Sequence, residues 1–137
     1  RKLEKAQRVK VTVQASAFQT GKPSVPVELV VNGFPVAKQD LVCDGKTREI
    51  SFEADIRESA WVAVRVFPHA HTNPFFVLVG DKPIRANADS ARWCLMGVEQ
   101  CWKMKKPTYK KEELAQAEAD YNHARKHYEK VLAECGK

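Results

Sequence analysis

The sequence predicts an α+β chain: an antiparallel β-sandwich of the immunoglobulin or fibronectin type over residues 1–86, then an α-helical hairpin over residues 87–137. Three observations carry this prediction. Before residue 80, apolar and polar residues alternate in short runs, and turn-forming residues close each run. No helical pattern lies between any two of these runs, which argues against crossover helices and a parallel sheet. After residue 89 the apolar period changes from two to three and four. A chain of 137 residues can bury most of its apolar surface without cross-links, and the hairpin is expected to pack on the sandwich as one compact unit.

Val9, Val11, Val13 and Ala15 alternate with Arg8, Lys10, Thr12 and Gln14, the pattern of a strand with one dry face. Gly21-Lys22-Pro23-Ser24 is a loop, and Val25, Val27, Leu29 and Val31 define the next strand. Pro26 places that strand at a sheet edge or at a strand beginning, because proline has no N–H for a ladder. Asn32-Gly33 predicts a tight hairpin into a strand over about Val36–Cys43. Asp44-Gly45-Lys46 is a second turn, followed by the clear alternation of Ile50, Phe52, Ala54 and Ile56 with Glu49, Ser51, Glu53 and Asp55. Trp61–Phe67 and Pro74–Val79 are the most apolar strands and flank a loop from His69 to Pro74. Phe75–Val79 is apolar on both faces, which calls for a cover that the following helices would provide.

Gly80-Asp81-Lys82-Pro83 ends the sheet. Asp89 or Ser90 is expected to cap a helix over about residues 90–106, with Cys94, Leu95, Val98, Cys101 and Trp102 on its apolar face. Pro107 breaks it, and Thr108 is expected to cap the last helix. There Leu114, Ala117, Tyr121, Ala124, Tyr128, Val131 and Cys135 form a narrow seam. Acidic residues fill the first half of that helix and basic ones much of the second, which suits the helix dipole. The short turn predicts antiparallel packing, with Cys101 opposite Leu114 and Cys94 opposite Tyr121.

The net charge is +6, with basic clusters at Arg1–Lys10 and Lys103–Lys111. Neither interleaves cations with aromatics in a nucleic-acid motif, and no apolar run reaches bilayer-spanning length, so neither nucleic acid nor a membrane span is expected. Cys94 and Cys101 lie seven positions apart, about 10 Å along a helix, beyond the roughly 7 Å a disulfide spans; only Cys43 with Cys135 stays open as a pair. His123 and His127 are one helical turn apart, but Ala124, Arg125 and Lys126 between them include no carboxylate and two cations, so no metal is expected there. No nucleophile elbow or phosphate-binding glycine loop is present, and no catalytic, cofactor or metal residue is assigned. The candidate interface or ligand loop is His69, His71 and Asn73, in a connection between strands where binding groups often sit. The Asn73-Pro74 pair reads as turn chemistry, with the amide bonding local backbone.

Several phrases occur together: Ser59-Ala60-Trp61-Val62-Ala63-Val64-Arg65, His71-Thr72-Asn73-Pro74, Gly80-Asp81-Lys82-Pro83-Ile84-Arg85-Ala86, Ser90-Ala91-Arg92-Trp93-Cys94-Leu95 and Tyr121-Asn122-His123-Ala124-Arg125. Their combination and order resemble the C-terminal part of bacterial CehA/McbA-type metallohydrolases, which carry a catalytic domain of the polymerase-and-histidinol-phosphatase (PHP) type. The resemblance covers about Val25 to Glu134. It implies a non-catalytic accessory module whose partner is an N-terminal catalytic domain of the same polypeptide. Any divalent metal would belong to that domain, and none is expected in this chain. The opening Arg1-Lys2-Leu3, without methionine, is read as part of a longer protein. A different class of function, a stand-alone ligand- or carbohydrate-binding sandwich, predicts Trp61, Phe34 and Phe75 aligned on the surface. A third, a self-contained enzyme using His69, His71 and a free cysteine, requires those groups within hydrogen-bond reach in a pocket.

Overall fold

The computed structural model describes residues 1–135. It is α+β, with strand-rich sheets followed by two helices. The strands are β1 (Lys2–Leu3), β2 (Gln7–Ala15), β3 (Ser24–Val31), β4 (Phe34–Val42), β5 (Arg48–Ile56), β6 (Ala60–Val66), β7 (Ala70–His71) and β8 (Phe75–Val79). The helices are α1 (Ala88–Lys105) and α2 (Leu114–Glu134), with a 3₁₀ turn at Lys106–Thr108 between them. The chain divides into two compact units, Arg1–Ile84 and the residues from Arg85 onward.

In the first unit, β2 and β5 form a two-stranded antiparallel sheet with Val9 opposite Ala54 and Val11 opposite Phe52. The larger sheet runs β1-β8-β6-β3-β4, with β7 also paired to β6. All its pairings are antiparallel except β1–β8, a parallel pair of two residues that the alternation pattern is too short to reveal. Both sheets feed one apolar cluster. Val9, Val11, Ile50, Phe52, Ala54 and Ile56 come from the small sheet; Val27, Leu29, Leu41, Val62, Val64 and Val77 come from the large one. Period-two patterning gives each sheet one dry face, and that face is the core.

Turns fix the registers. Asn32 and Gly33 both have positive φ, 51° and 94°, the left-handed pair that a two-residue hairpin needs. The hairpin is tied sideways as well. The Asn32 amide N–H donates to the Trp61 carbonyl, and its side-chain oxygen accepts from the Trp61 N–H, each at 3.0 Å. Pro26 sits near the start of β3, two residues before β6 begins to pair with it, so its missing N–H interrupts no β3–β6 rung. A bulge between Leu29 and Val30 shifts the β3–β4 register by one residue. At the second turn, Asp44 accepts from Arg48 through both carboxylate oxygens at 2.6 Å and from the Lys46 N–H at 3.0 Å.

Strand β8 is not dry on both faces as its composition suggests. Val77 is buried, but Phe75 and Phe76 are exposed, Phe76 by 56%. Phe76 stands opposite Trp61, on the face turned away from the core, and Phe75 is the first residue of the strand.

In the second unit the N-cap of α1 is Asn87 rather than Asp89 or Ser90. Asn87 is extended (φ −154°), and its side-chain oxygen accepts from the N–H groups of Asp89 and Ser90, which satisfies two of the donors that a helix start leaves open. Asp89 instead pairs with Arg92. Thr108 caps no helix: its hydroxyl donates to the Lys105 carbonyl, and α2 begins six residues later at Leu114. This longer connection changes the hairpin register. Trp102 stacks on Tyr121 with ring centroids 5.0 Å apart, and Arg125 pairs with Glu99, so Cys101 does not stand opposite Leu114. The predicted seam holds in α2, where Ala117 is buried and Leu114, Tyr121, Ala124, Tyr128 and Val131 are half-buried. All four cysteines are free thiols; Cys101, expected on the buried face, is exposed, because two helices cover only a narrow stripe of each other.

Leu29 is fully buried in the centre of the large sheet. Leu29→Ala is expected to destabilise the first unit by about 3 kcal/mol, through lost burial and the cavity left behind, read as a lower urea midpoint. The Arg48 guanidinium holds the Asp44 carboxyl well below the usual carboxylate range, with the Lys46 N–H adding to the effect. A carboxylate with a depressed folded value stabilises the fold above its unfolded value of about 4, and that contribution is lost as pH falls below this point. Asp44→Asn is therefore expected to lower stability at pH 7 and to flatten its decline between pH 4 and pH 2, measured by thermal unfolding across that range.

Candidate functional site

The outward face of β6 carries Trp61, Ala63 and Arg65, because Val62 and Val64 take the core side. Val30, opposite Ala63, is only 4% exposed although it faces outward. Trp61, Arg65, Phe67, Pro68, Ala70, His71, Thr72 and Pro74 rise around this floor and form a groove of about 430 Å³. Its lining is mostly apolar, from Trp61, Phe67, Pro68 and Pro74, with the Arg65 guanidinium and the His71 imidazole as its main polar groups.

Each polar group is held. Arg65 Nε donates to Glu28 Oε2 at 2.7 Å, and both side chains are partly buried. The guanidinium carbon lies 5.3 Å from the Phe67 ring centroid, a cation–π geometry. His71 is the cross-strand partner of Arg65, so both side chains share one face. His71 Nδ1 donates to the Thr72 carbonyl at 3.0 Å, which leaves Nε2 directed elsewhere. Thr72 anchors the loop: its N–H donates to the Val64 carbonyl at 2.9 Å, and its hydroxyl oxygen accepts from the Val64 N–H at 3.1 Å. A side-chain oxygen thus completes a rung where β7 ends.

The three sequence-predicted loop residues do not form one site. His71 lines the groove, whereas His69 lines a separate hollow of about 280 Å³ with Phe18, Gln19 and Val25. The reason is local. His69 lies in the turn whose N–H bonds the Val66 carbonyl at 2.7 Å, while His71 is registered on β6. Asn73 is exposed and lines neither hollow, and its side chain makes no hydrogen bond among the described residues. The anchoring expected of Asn73 is done by Thr72 instead. Sequence reasoning also passed over Arg65 and Glu28. Their signal was a charge at an alternating position inside an otherwise apolar strand, repeated in the strand beside it.

The groove lining contains no thiol or carboxylate, and the one hydrogen bond of the His71 ring among the described residues goes to a backbone carbonyl. Trp61, Phe34 and Phe75 do not make one aromatic platform. Phe34 stands opposite Val31 and Phe75 opposite Val62, so both share the core-side parity, whereas Trp61 has the outward one. Among the described residues no three His, Cys, Asp or Glu side chains gather as a metal site, and no helix is long and apolar enough to cross a membrane. Part of the basic surface is locally paired: Lys2 with Asp81, and Arg8 with Asp55 and Glu53.

In the second unit, Trp93, Cys94, Val98, Tyr121, Ala124 and Tyr128 line a shallow trough between the helices. At its end Trp102 packs between Tyr109 and Tyr121, with Lys106 and Arg125 over its ring. Burial in this cluster, together with a hydrogen bond to Tyr109, pushes the Tyr121 hydroxyl up.

No protein-family model, curated protein or solved structure matches this chain.

Thr72→Val removes the acceptor of the Val64 N–H while keeping the side-chain shape. The expected cost is about 1–2 kcal/mol, with faster amide exchange at Val64 as the residue-level readout.

Proposed function

We propose that this chain is a non-catalytic accessory module of a larger metal-dependent hydrolase of the PHP type, seated against a catalytic domain of the same polypeptide. The fold fits a sandwich of the immunoglobulin or fibronectin kind, since two sheets supply a common core from their facing sides. The observation that carries the functional reading is the aromatic end of the large sheet. Phe34, Val31, Val62 and Phe75 form one row across β4, β3, β6 and β8, and Trp61 and Phe76 form part of the next. Phe34 is 64% exposed, Phe75 is exposed at the other end of the row, and Phe76 is exposed on the opposite face of the sheet. The row spans about 14 Å at ordinary strand spacing. Exposed aromatics grouped at one end of a unit mark a surface that another protein covers. The sequence phrases around Ser59–Arg65, His71–Pro74 and Ser90–Leu95 give the resemblance from which the identity of that partner is taken. Catalysis and any divalent metal belong to the partner domain; this module contributes packing and orientation.

The test is the size of the protein in its source cells. An antibody raised against this chain is expected to detect a band several times larger than 15.5 kDa. A band at the size of the chain alone overturns the accessory-module reading.

A further inference from the structure

We propose that the groove over β6 is a binding site for a small carboxylic acid with a flat apolar body, held by Arg65 at its head and by Trp61 and Phe67 along its sides. The inference does not depend on the accessory role, which rests on the exposed row from Phe34 to Phe75 and not on this groove, although Trp61 adjoins both. It starts from shape and chemistry. A hollow of about 430 Å³ with mostly apolar walls and a few convergent polar groups has the character of a small-ligand site. Here the convergent polar groups are the Arg65 guanidinium and the His71 imidazole, cross-strand partners on one face.

The disposition of Arg65 selects the ligand head. Glu28 takes the Nε corner of the guanidinium, and Phe67 lies against its plane. The two terminal nitrogens have no hydrogen-bond partner among the described residues. The edge they form presents two parallel N–H donors, the fork that matches the two oxygens of a carboxylate. Glu28 and Phe67 also fix the side chain in advance, so little rotamer freedom remains to be lost on binding. His71 lies on the same face with Nδ1–H tied to the Thr72 carbonyl, so Nε2 of a neutral ring can only accept a hydrogen bond, and the carboxylate is left to the guanidinium. The floor at Val30 and Ala63 offers nothing polar from its side chains, so the remainder of the ligand must be apolar. Trp61 and Phe67 favour a flat ring over a branched chain. A sugar, which presents hydroxyls all round its rim, would leave most of them unpaired against these walls.

The probe is 2-naphthoate, titrated into the full chain and followed by ¹H–¹⁵N NMR, with 2-naphthalenemethanol as the neutral control. Saturable shifts are expected at the Trp61 indole N–H, the Arg65 Nε–H and the Ala63 and His71 amides. The alcohol is expected to bind at least about tenfold more weakly, because it cannot engage the guanidinium fork. Arg65→Gln should reduce naphthoate binding by a similar factor, and Ala63→Leu, which fills the floor and leaves Arg65 in place, should abolish it. Unchanged amide positions at Val11 and Phe52, core residues on the other sheet, report that each variant is folded; if Arg65→Gln is not, Ala63→Leu and the alcohol decide the matter. Absence of saturable shifts in the groove, equal binding of acid and alcohol, or unweakened binding to folded Ala63→Leu overturns the proposal. Shifts confined to the trough lined by Trp93 and Tyr128 overturn it as well.

Discussion

The alternation of strand β6 is the constraint on which the first unit depends. Val62 and Val64 enter the core from one face, while Trp61, Ala63 and Arg65 leave from the other. Three strands, β3, β7 and β8, read their register from it. A slip of one residue would put Arg65 among Leu29 and Val27 and turn Val64 outward, so the cost of misplacing one charge protects the alignment of the whole sheet. The outward groove is thus a by-product of the same periodicity that builds the core. Its floor is fixed because the side chains directly behind it are buried.

The parts of the fold legible in the sequence are those that a two-residue period or a left-handed turn dictates. Ile50, Phe52, Ala54 and Ile56 are buried as their alternation requires, and Asn32-Gly33 makes the hairpin it encodes. What escaped depends on choices among equivalent residues or on distance in the chain. Asn87, Asp89 and Ser90 are all competent caps, and periodicity alone does not rank them. The hairpin register turned on where α2 starts, and residues 106–113 carry no pattern that says so. Strand β1 is too short to alternate and pairs with a strand more than seventy residues away.

The candidate site was legible to a lesser degree. The loop between the two most apolar strands was the right place to look, and His71 does line the groove. His69 and Asn73 were grouped with it because they are near in sequence. Backbone pairing separates them, since only residues registered on β6 acquire a common direction. The companions of His71 come instead from across the ladder. Arg65 is six residues earlier and Glu28 lies one strand further on. Neither belongs to a recognisable motif, and cross-strand neighbours of this kind are invisible until the register is known.

The bulge between Leu29 and Val30 lies beside β4, the strand that ends the large sheet. That border combines the bulge with Pro35, which has no N–H to offer, and with the charges of Lys38 and Asp40. An unpaired border strand is otherwise a template onto which another chain can add in register. Here irregular geometry, a missing donor and solvated charge act together against edge-to-edge stacking, and Gln39 of β4 turns its amide to the Ser51 carbonyl of β5 in the same chain.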